Sequence, residues 1–175
     1  MAMEEDKALV GLQTAVQMEI SGKEYYLKAG RQSSNEMGKR LLEKLAAEED
    51  VHRRKFEEIY AALRQKKGWP ATDFQPDGGR RLRTIFMAEM GARAPVAGGS
   101  STELDSVKLA IGMESKTYDF YLGQSQSATY PGEAEFYEIL CREEREHRLV
   151  LLDYQEYLQD PAGWSVMKEH RLDGG

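Results

Sequence analysis

The chain has 175 residues, 31% of them charged and 41% hydrophobic, with a formal net charge of −6. That length supports one domain with a sizeable core, and the acidic balance argues against a surface for nucleic acid or an anionic membrane. Cys141 is the one cysteine, which excludes an internal disulfide framework or a four-thiolate metal site within the chain. The three histidines, His52, His147 and His170, mean that metal chemistry would have to lean on carboxylates. No apolar run approaches the ~20 residues needed to cross a bilayer. The start, Met-Ala-Met-Glu-Glu-Asp-Lys, does not resemble a signal or transit peptide, so a cytoplasmic location is expected.

Four long segments carry helical periodicity. The first is expected over about 4–29, with Leu9, Leu12, Val16 and Tyr26 on one stripe. Ser33 and Glu36 suit a capping box ahead of the second, about 36–66, whose stripe includes Leu42, Leu45, Phe56, Ile59 and Leu63. A glycine- and proline-rich crossover, about 67–100, follows. Within it Arg80 to Met90 suits a short helix presenting Leu82, Ile85, Phe86 and Met90. Ser100 and Glu103 suit a second capping box before the third long helix, about 101–127, striped by Leu104, Val107, Ile111, Tyr118 and Tyr121. The fourth is expected over about 131–159, with Pro131 in its first turn and a stop at Asp160-Pro161. Its stripe is Tyr137, Leu140, Leu151, Tyr154 and Leu158. The tail, Trp164 to Gly175, could add a short docked helix. Short connections make hairpins and a long one can travel the length of a bundle. The expectation is a single all-α domain over 1–175: a four-helix bundle of two hairpins joined by a long crossover.

The second half repeats the first at one constant offset, without a gap. Ala15, Met18, Glu19, Tyr26 and Leu27 fall on Ala110, Met113, Glu114, Tyr121 and Leu122. Glu43, Leu45, Glu48, Glu49, His52, Arg53 and Leu63 fall on Glu138, Leu140, Glu143, Glu144, His147, Arg148 and Leu158. Two hairpins of common design would pack about a pseudo-two-fold axis.

Each apolar stripe is interrupted at mid-helix. Glu49 and His52 stand between Leu45 and Phe56, and Glu144 and His147 between Leu140 and Leu151. Glu19 lies between Val16 and Tyr26, and Glu114 between Ile111 and Tyr118. Four glutamates converging in one core repel one another and are costly to bury unpaired, a cost that divalent cations remove. Glu-x-x-His places a carboxylate and an imidazole one turn apart on one helical face. A glutamate from each of two helices plus a Glu-x-x-His from each of the other two is the ligand set of ferritin-like di-iron and di-manganese bundles. Oxygen-rich ligation with one imidazole per metal suits iron, or manganese, better than a thiolate-seeking metal. The alternative is a metal-free bundle with buried ionic pairs.

These residues resemble the rubrerythrin-type, erythrin-like branch of the ferritin-like di-iron carboxylate superfamily. The resemblance rests on Met18-Glu19 with Tyr26, Glu49-Asp50-Val51-His52, Met113-Glu114 with Phe120-Tyr121, and Glu144-Arg145-Glu146-His147. It implies that Glu49 and Glu144 bridge two irons, that Glu19 and His52 complete one, and that Glu114 and His147 complete the other. It also implies an oxidoreductase that reacts reduced di-iron with peroxide or dioxygen. The other expectations are a ferroxidase serving iron storage or sequestration, and a bundle that uses metal only for stability. Full rubrerythrins add a four-cysteine electron-delivering module, so electrons here would come from an external donor protein or from substrate iron. They also carry an extra carboxylate one turn after the third-helix glutamate, where this chain has Thr117, repeat mate of Gly22. That makes the site more symmetric. A homo-oligomer, a dimer first, is expected, with no nucleic acid or membrane partner.

Tyr26 and Tyr121 each lie seven residues after a cluster glutamate and so share its face, where they could hydrogen-bond ligand carboxylates or simply pack. Glu24, Asp119, Asp50 and Glu146 are read as solvated, His170 as a surface or tail residue, and Cys141 as a small packed hydrophobe. Met87, Met90 and Met113 are read as core filler.

Overall fold

The computed structural model describes residues 2–71, 74, 79–91 and 100–164. Among these there is no strand. The elements are α1 (Ala2–Gln32), α2 (Glu36–Arg64), α3 (Arg80–Gly91), α4 (Ser101–Gln126) and α5 (Glu133–Gln159). No helix among the described residues is long and apolar enough to cross a membrane. α1 packs along α2 and α4 along α5, and the hairpins meet chiefly through α1 and α4.

The core is two apolar clusters rather than one. At one end of the bundle Leu12 and Ala15 of α1 meet Phe56, Ile59 and Leu63 of α2, Tyr121 of α4, and Phe136, Tyr137 and Leu140 of α5. At the other end Tyr26 and Ala29 meet Leu41, Leu42 and Leu45, Val107 and Ala110, and Leu151, Tyr154 and Leu158. The start of α1 therefore shares an end with the end of α4, so these helices run antiparallel. α2 finishes where α4 does not begin, and the crossover has to return along the bundle. α3 lies against α2 and α5 on that return, with Leu82 fully buried. The side chains of Ile85, Phe86 and Met90 lie outside the described ones. Arg83 Nη2 pairs with Glu146 Oε2 of α5 at 2.7 Å. Just ahead of α3, Gly79 has φ +70° and a Cβ there would come within 2.8 Å of Glu146 Cβ, so the chain passes α5 closely where a side chain would not fit.

Several helix ends differ from expectation for local reasons. The N-cap of α2 is Asn35, whose Oδ1 accepts from Met37 N at 3.0 Å. Ser33 is occupied elsewhere, donating to the buried Glu103 carboxylate. Ser100 does cap α4, accepting from Glu103 N at 3.2 Å. The Glu103 side chain turns inward, where it also accepts from Tyr154 Oη at 2.8 Å, so only half of that capping box forms. α1 runs through Gly30 to Gln32, with Gly30 giving α2 a close approach at Leu42 Cβ, 3.5 Å from a Cβ at that position. α2 stops at Arg64, two residues early, where Lys66 turns left-handed at φ 56°. Pro131 stays in the preceding turn, because Gly132 at φ 82° is the N-cap of α5. After the stop at Gln159, residues 161–164 form one further helical turn capped by Asp160 Oδ1 accepting from Gly163 N at 2.9 Å, with Trp164 buried. Residues 165–175, including His170, lie outside the described part.

Phe56 shows what the first cluster contributes. It is fully buried, with ring centroids 5.4 Å from Tyr121, 5.5 Å from Phe136 and 6.0 Å from Tyr137. Phe56→Ala is expected to cost about 3–5 kcal/mol through lost burial and a residual cavity, measured as a shift of the urea midpoint at constant slope.

Candidate metal centre

Between the two apolar clusters lies a layer of ionisable side chains. Glu19, Glu49, His52, Glu114, Glu144 and His147 are all buried, Glu19 and His147 at 0% exposure. Helical phase brings them there, since each occupies a place on its helix's apolar stripe one or two turns from a core leucine, phenylalanine or tyrosine. All six residues singled out by their spacing therefore meet in one place, and they contribute carboxylates or imidazoles from α1, α2, α4 and α5.

Their donor atoms form two overlapping groups. Glu19, Glu49, His52 and Glu144 offer one set of atoms mutually within 4.8 Å, and Glu49, Glu114, Glu144 and His147 offer the other. Glu49 and Glu144 belong to both. His52 Nδ1 lies 3.6 Å from Glu19 Oε2 and 3.4 Å from Glu144 Oε1. His147 Nδ1 lies 3.2 Å from Glu49 Oε1, 3.7 Å from Glu114 Oε2 and 3.9 Å from Glu144 Oε2. The imidazoles lie nearly parallel, 13° apart, with centroids separated by 5.6 Å. Glu19 Oε2, Glu49 Oε1, Glu114 Oε2, both Glu144 oxygens and both Nδ1 atoms are buried without an aligned hydrogen-bond partner. Buried polar atoms are seldom left so. Here they converge, and their mix of carboxylate oxygen and imidazole nitrogen fits two hard or borderline divalent cations.

Outer atoms of the same residues are held. Tyr26 of α1 donates to Glu114 Oε1 of α4, and Tyr121 of α4 donates to Glu19 Oε1 of α1. The two tyrosines exchange partners across the hairpins as the repeat requires, and both touch the cluster rather than merely packing near it. Glu48 is a contributor that periodicity did not single out. Its Oε2 lies 3.0 Å from His147 Nε2, and its Oε1 lies 3.3 Å from Lys44 Nζ. With Nε2 donating to Glu48, the Nδ1 lone pair of His147 faces the cluster. Glu48 stands immediately before the cluster glutamate Glu49, as Glu143 stands before Glu144, and that repeated Glu-Glu pair was the available signal. His52 instead packs edge-to-face with Phe74 from the crossover, with ring centroids 5.7 Å apart.

The remaining positions behave differently. Thr117 Oγ1 donates to the Met113 carbonyl at 3.2 Å, so its oxygen is engaged by its own helix. A Cβ on its mate Gly22 would lie 3.3 Å from Glu49 Oε2, which shows how closely that carboxylate passes α1. Asp50 joins the hairpin to Lys23 at 2.7 Å and pairs with Arg53, and Glu146 pairs with Arg83. Both are more engaged than solvated residues. Glu24 and Asp119 are exposed. Cys141 is buried, with its thiol pushed up to about 11, chiefly by burial, which keeps it protonated. Met87 is exposed and Met113 half-buried.

Fold and site together define a ferritin-like helical bundle with a carboxylate–imidazole centre able to take two metals. A family model described as Rubrerythrin matches residues 11–155, and the chain belongs to that family. No curated protein and no solved structure gives a match.

Without metal, the centre has a distinctive pH response. Burial, and then the neighbouring carboxylates, push Glu49 and Glu144 well above the ordinary glutamate value of 4.5. Burial pulls His147 down, but Glu114, Glu48 and Glu49 more than reverse this and hold it well above 6.5. Burial also acts to raise Glu19 and Glu114. The close approach of Glu49 and Glu144 respectively, with the imidazoles and the tyrosine hydroxyls, outweighs it and leaves both lowered. A raised group binds its proton more readily folded than unfolded, so its stabilisation fades as pH rises past the unfolded value. Glu49 and Glu144 act from 4.5 upward and His147 from 6.5 upward, while Glu19 and Glu114 lose stabilisation only as pH falls below 4.5. Chelator-treated protein should therefore melt at its highest temperature in mild acid and at a falling temperature toward neutrality and beyond. Metal-supplemented protein should show the reverse slope, because ligands must shed protons to bind. Parallel melting curves across pH check both signs.

Proposed function

We propose that the protein is a dinuclear iron oxidoreductase that reduces hydrogen peroxide or dioxygen. The observation that carries this reading is the pair of overlapping four-donor groups sharing Glu49 and Glu144. On this reading Glu19 and His52 would hold one ion and Glu114 and His147 the other, while Glu49 and Glu144 would serve both. The oxygen-rich donor set favours iron, with manganese the second choice. Redox-active ions bound there would supply electrons to peroxide or dioxygen.

The chain's own residues set the conditions. The two apolar clusters exclude water from both sides of the layer, which strengthens every charge interaction within it. Tyr26 and Tyr121 orient the Glu114 and Glu19 carboxylates. Glu48 orients the His147 ring. Thr117 offers no additional carboxylate one turn beyond Glu114, so the donor set is the same on both sides of the pseudo-axis. On this reading an external donor protein returns the electrons, and the protein works as a cytoplasmic homo-oligomer, a dimer first.

Removing a shared ligand tests the assignment. Glu144→Ala is expected to lower iron stoichiometry below two per chain in anaerobic titration, with the fold checked by circular dichroism. Retention of two tightly held ions in that variant would overturn the assignment. Stopped-flow mixing of the ferrous-loaded protein with peroxide or dioxygen tests the activity. Rapid stoichiometric oxidation, repeated when an electron donor is added, is expected. Uptake of many irons per chain would instead favour storage, and a tightly held metal inert to both oxidants a structural role.

A further inference from the structure

The two halves of the bundle repeat each other, but their aromatic residues do not. From Tyr121, which donates to Glu19 in the centre, a line of ring contacts runs to the end of the bundle. Tyr121 and Tyr137 have centroids 5.8 Å apart, Tyr137 and Trp69 6.2 Å, and Trp69 and Tyr130 6.2 Å. Phe56 and Phe136 fill the flanks of this line. Tyr121 is fully buried, whereas Trp69 and Tyr130 are half-buried at the surface, in the connections that follow α2 and α4. At the other end of the bundle the indole is kept, as Trp164, and it meets Tyr157, which stacks on Tyr154; but the residue matching Tyr137 is Leu42, that matching Phe136 is Leu41, and that matching Phe56 is Leu151, so leucine stands where the ring beside Tyr121 stands. Tyr26, the mate of Tyr121, meets the ring of Tyr25, whose hydroxyl donates to the Ser106 backbone carbonyl at 2.7 Å.

We propose that Tyr121, Tyr137 and Trp69 form a one-sided path for single electrons between the buried centre and the surface beside Tyr130. This deepens the redox reading above and rests on it. A centre buried this deeply needs a route for charge through the protein, and transfer in short steps between touching rings outruns one long step. The three rings play different parts. Oxidising a phenol requires a base for its proton, and the Glu19 carboxylate on the Tyr121 hydroxyl is one. Tyr137 has its hydroxyl buried with no partner, so it serves as a bridge rather than a resting place for the hole. Trp69 can lose an electron while keeping its N–H proton, which also has no partner. Tyr25 faces a neutral amide carbonyl that cannot take its proton, so it does not serve as the matching outlet for Tyr26.

In the working direction, one electron passes from an external one-electron donor, which is oxidised, through Trp69 and Tyr137 to Tyr121. It continues to the centre, which is reduced by one charge. The phenol proton shifts to Glu19 as the electron leaves Tyr121 and returns with the next one. No other bond is made or broken, and the balance per step is one electron with no net proton.

Photo-oxidation of the full chain loaded with zinc, which takes these donors without changing oxidation state, tests the path apart from the reaction at iron. A ruthenium tris-bipyridine photo-oxidant with persulfate creates holes at surface rings, and peptide mass spectrometry reads oxidation products at buried Tyr121. The wild-type protein is expected to give products at both Trp69 and Tyr121. Trp69→Phe, and separately Tyr137→Leu, the residue found at the matching place in the other half, should each lower the Tyr121 yield several-fold while the Tyr26 yield is unchanged. Circular dichroism confirms that each variant is folded. An undiminished Tyr121 yield in both variants overturns the path. Failure of the iron-loaded protein to react with peroxide or dioxygen would remove the proposed function, and the photo-oxidation yields would still decide whether the path exists.

Discussion

Four carboxylates and two imidazoles share the middle of this bundle, and among the described residues these carboxylates pair with the imidazoles and with no lysine or arginine. Burying such a layer is unfavourable, because each ion loses its water and like charges face one another. The rest of the architecture follows from that constraint. The apolar core is split into two clusters, one above and one below the layer, and each must hold its own end of four helices. Inner atoms of the six residues remain without aligned hydrogen bonds, while the outer atoms of Glu19, Glu114 and His147 are fixed by tyrosine hydroxyls and by Glu48. A layer built only to be buried would satisfy its atoms inward as well. This one is open on the inside, and three of its six residues are held from the outside, an arrangement that suits cation ligands.

The repeat explains how one chain builds such a site economically. A single hairpin design supplies a lone glutamate on its first helix, a Glu-x-x-His on its second, and a tyrosine two turns after the lone glutamate. Placed face to face with α1 and α4 antiparallel, two copies bring each tyrosine onto the other copy's glutamate. The site's two halves cannot form apart, since each four-donor group takes residues from both hairpins. Metal affinity and the docking of the hairpins are thus linked through the same side chains.

Much of this could be read from residue order alone. The six central residues interrupt apolar stripes at regular helical phase, and phase survives any detail of packing. The long connection between the hairpins, and the short helix within it, were signalled by the density of glycine and proline and by one apolar stripe. What could not be read depends on contacts between elements distant in the chain. Ser33 looks like a cap from its local spacing, but Glu103, seventy residues later, takes its hydroxyl and Asn35 caps instead. Pro131 suits a first helical turn, but the left-handed Gly132 starts the helix after it. Glu48 lies beside the apolar stripe of its own helix, so periodicity marks it as solvated. Only the position of α5 reveals that its carboxylate reaches His147. Distant groups decided Ser33 and Glu48, whereas at Pro131 the left-handed conformation of its own neighbour did.

The crossover shows why two matched halves cannot stay equivalent. Two repeats need one connection between them, and a single connection can cover only one side. Phe74 comes from this segment and packs edge-to-face with the ring of His52. The matching imidazole, His147, turns its Nε2 to Glu48, which is itself tied to Lys44. A carboxylate partner makes an imidazole more basic and fixes its orientation, whereas an aromatic edge excludes water without adding charge. The residues able to hold metal repeat faithfully, but their surroundings differ because the chain is continuous. Trp69 begins this same connection, and the ring contacts leading from Tyr121 likewise run to this one end of the bundle. A symmetric ligand set inside an asymmetric shell lets two like ions differ in their access to solvent, to charge and to electrons, with no change in the groups that hold them.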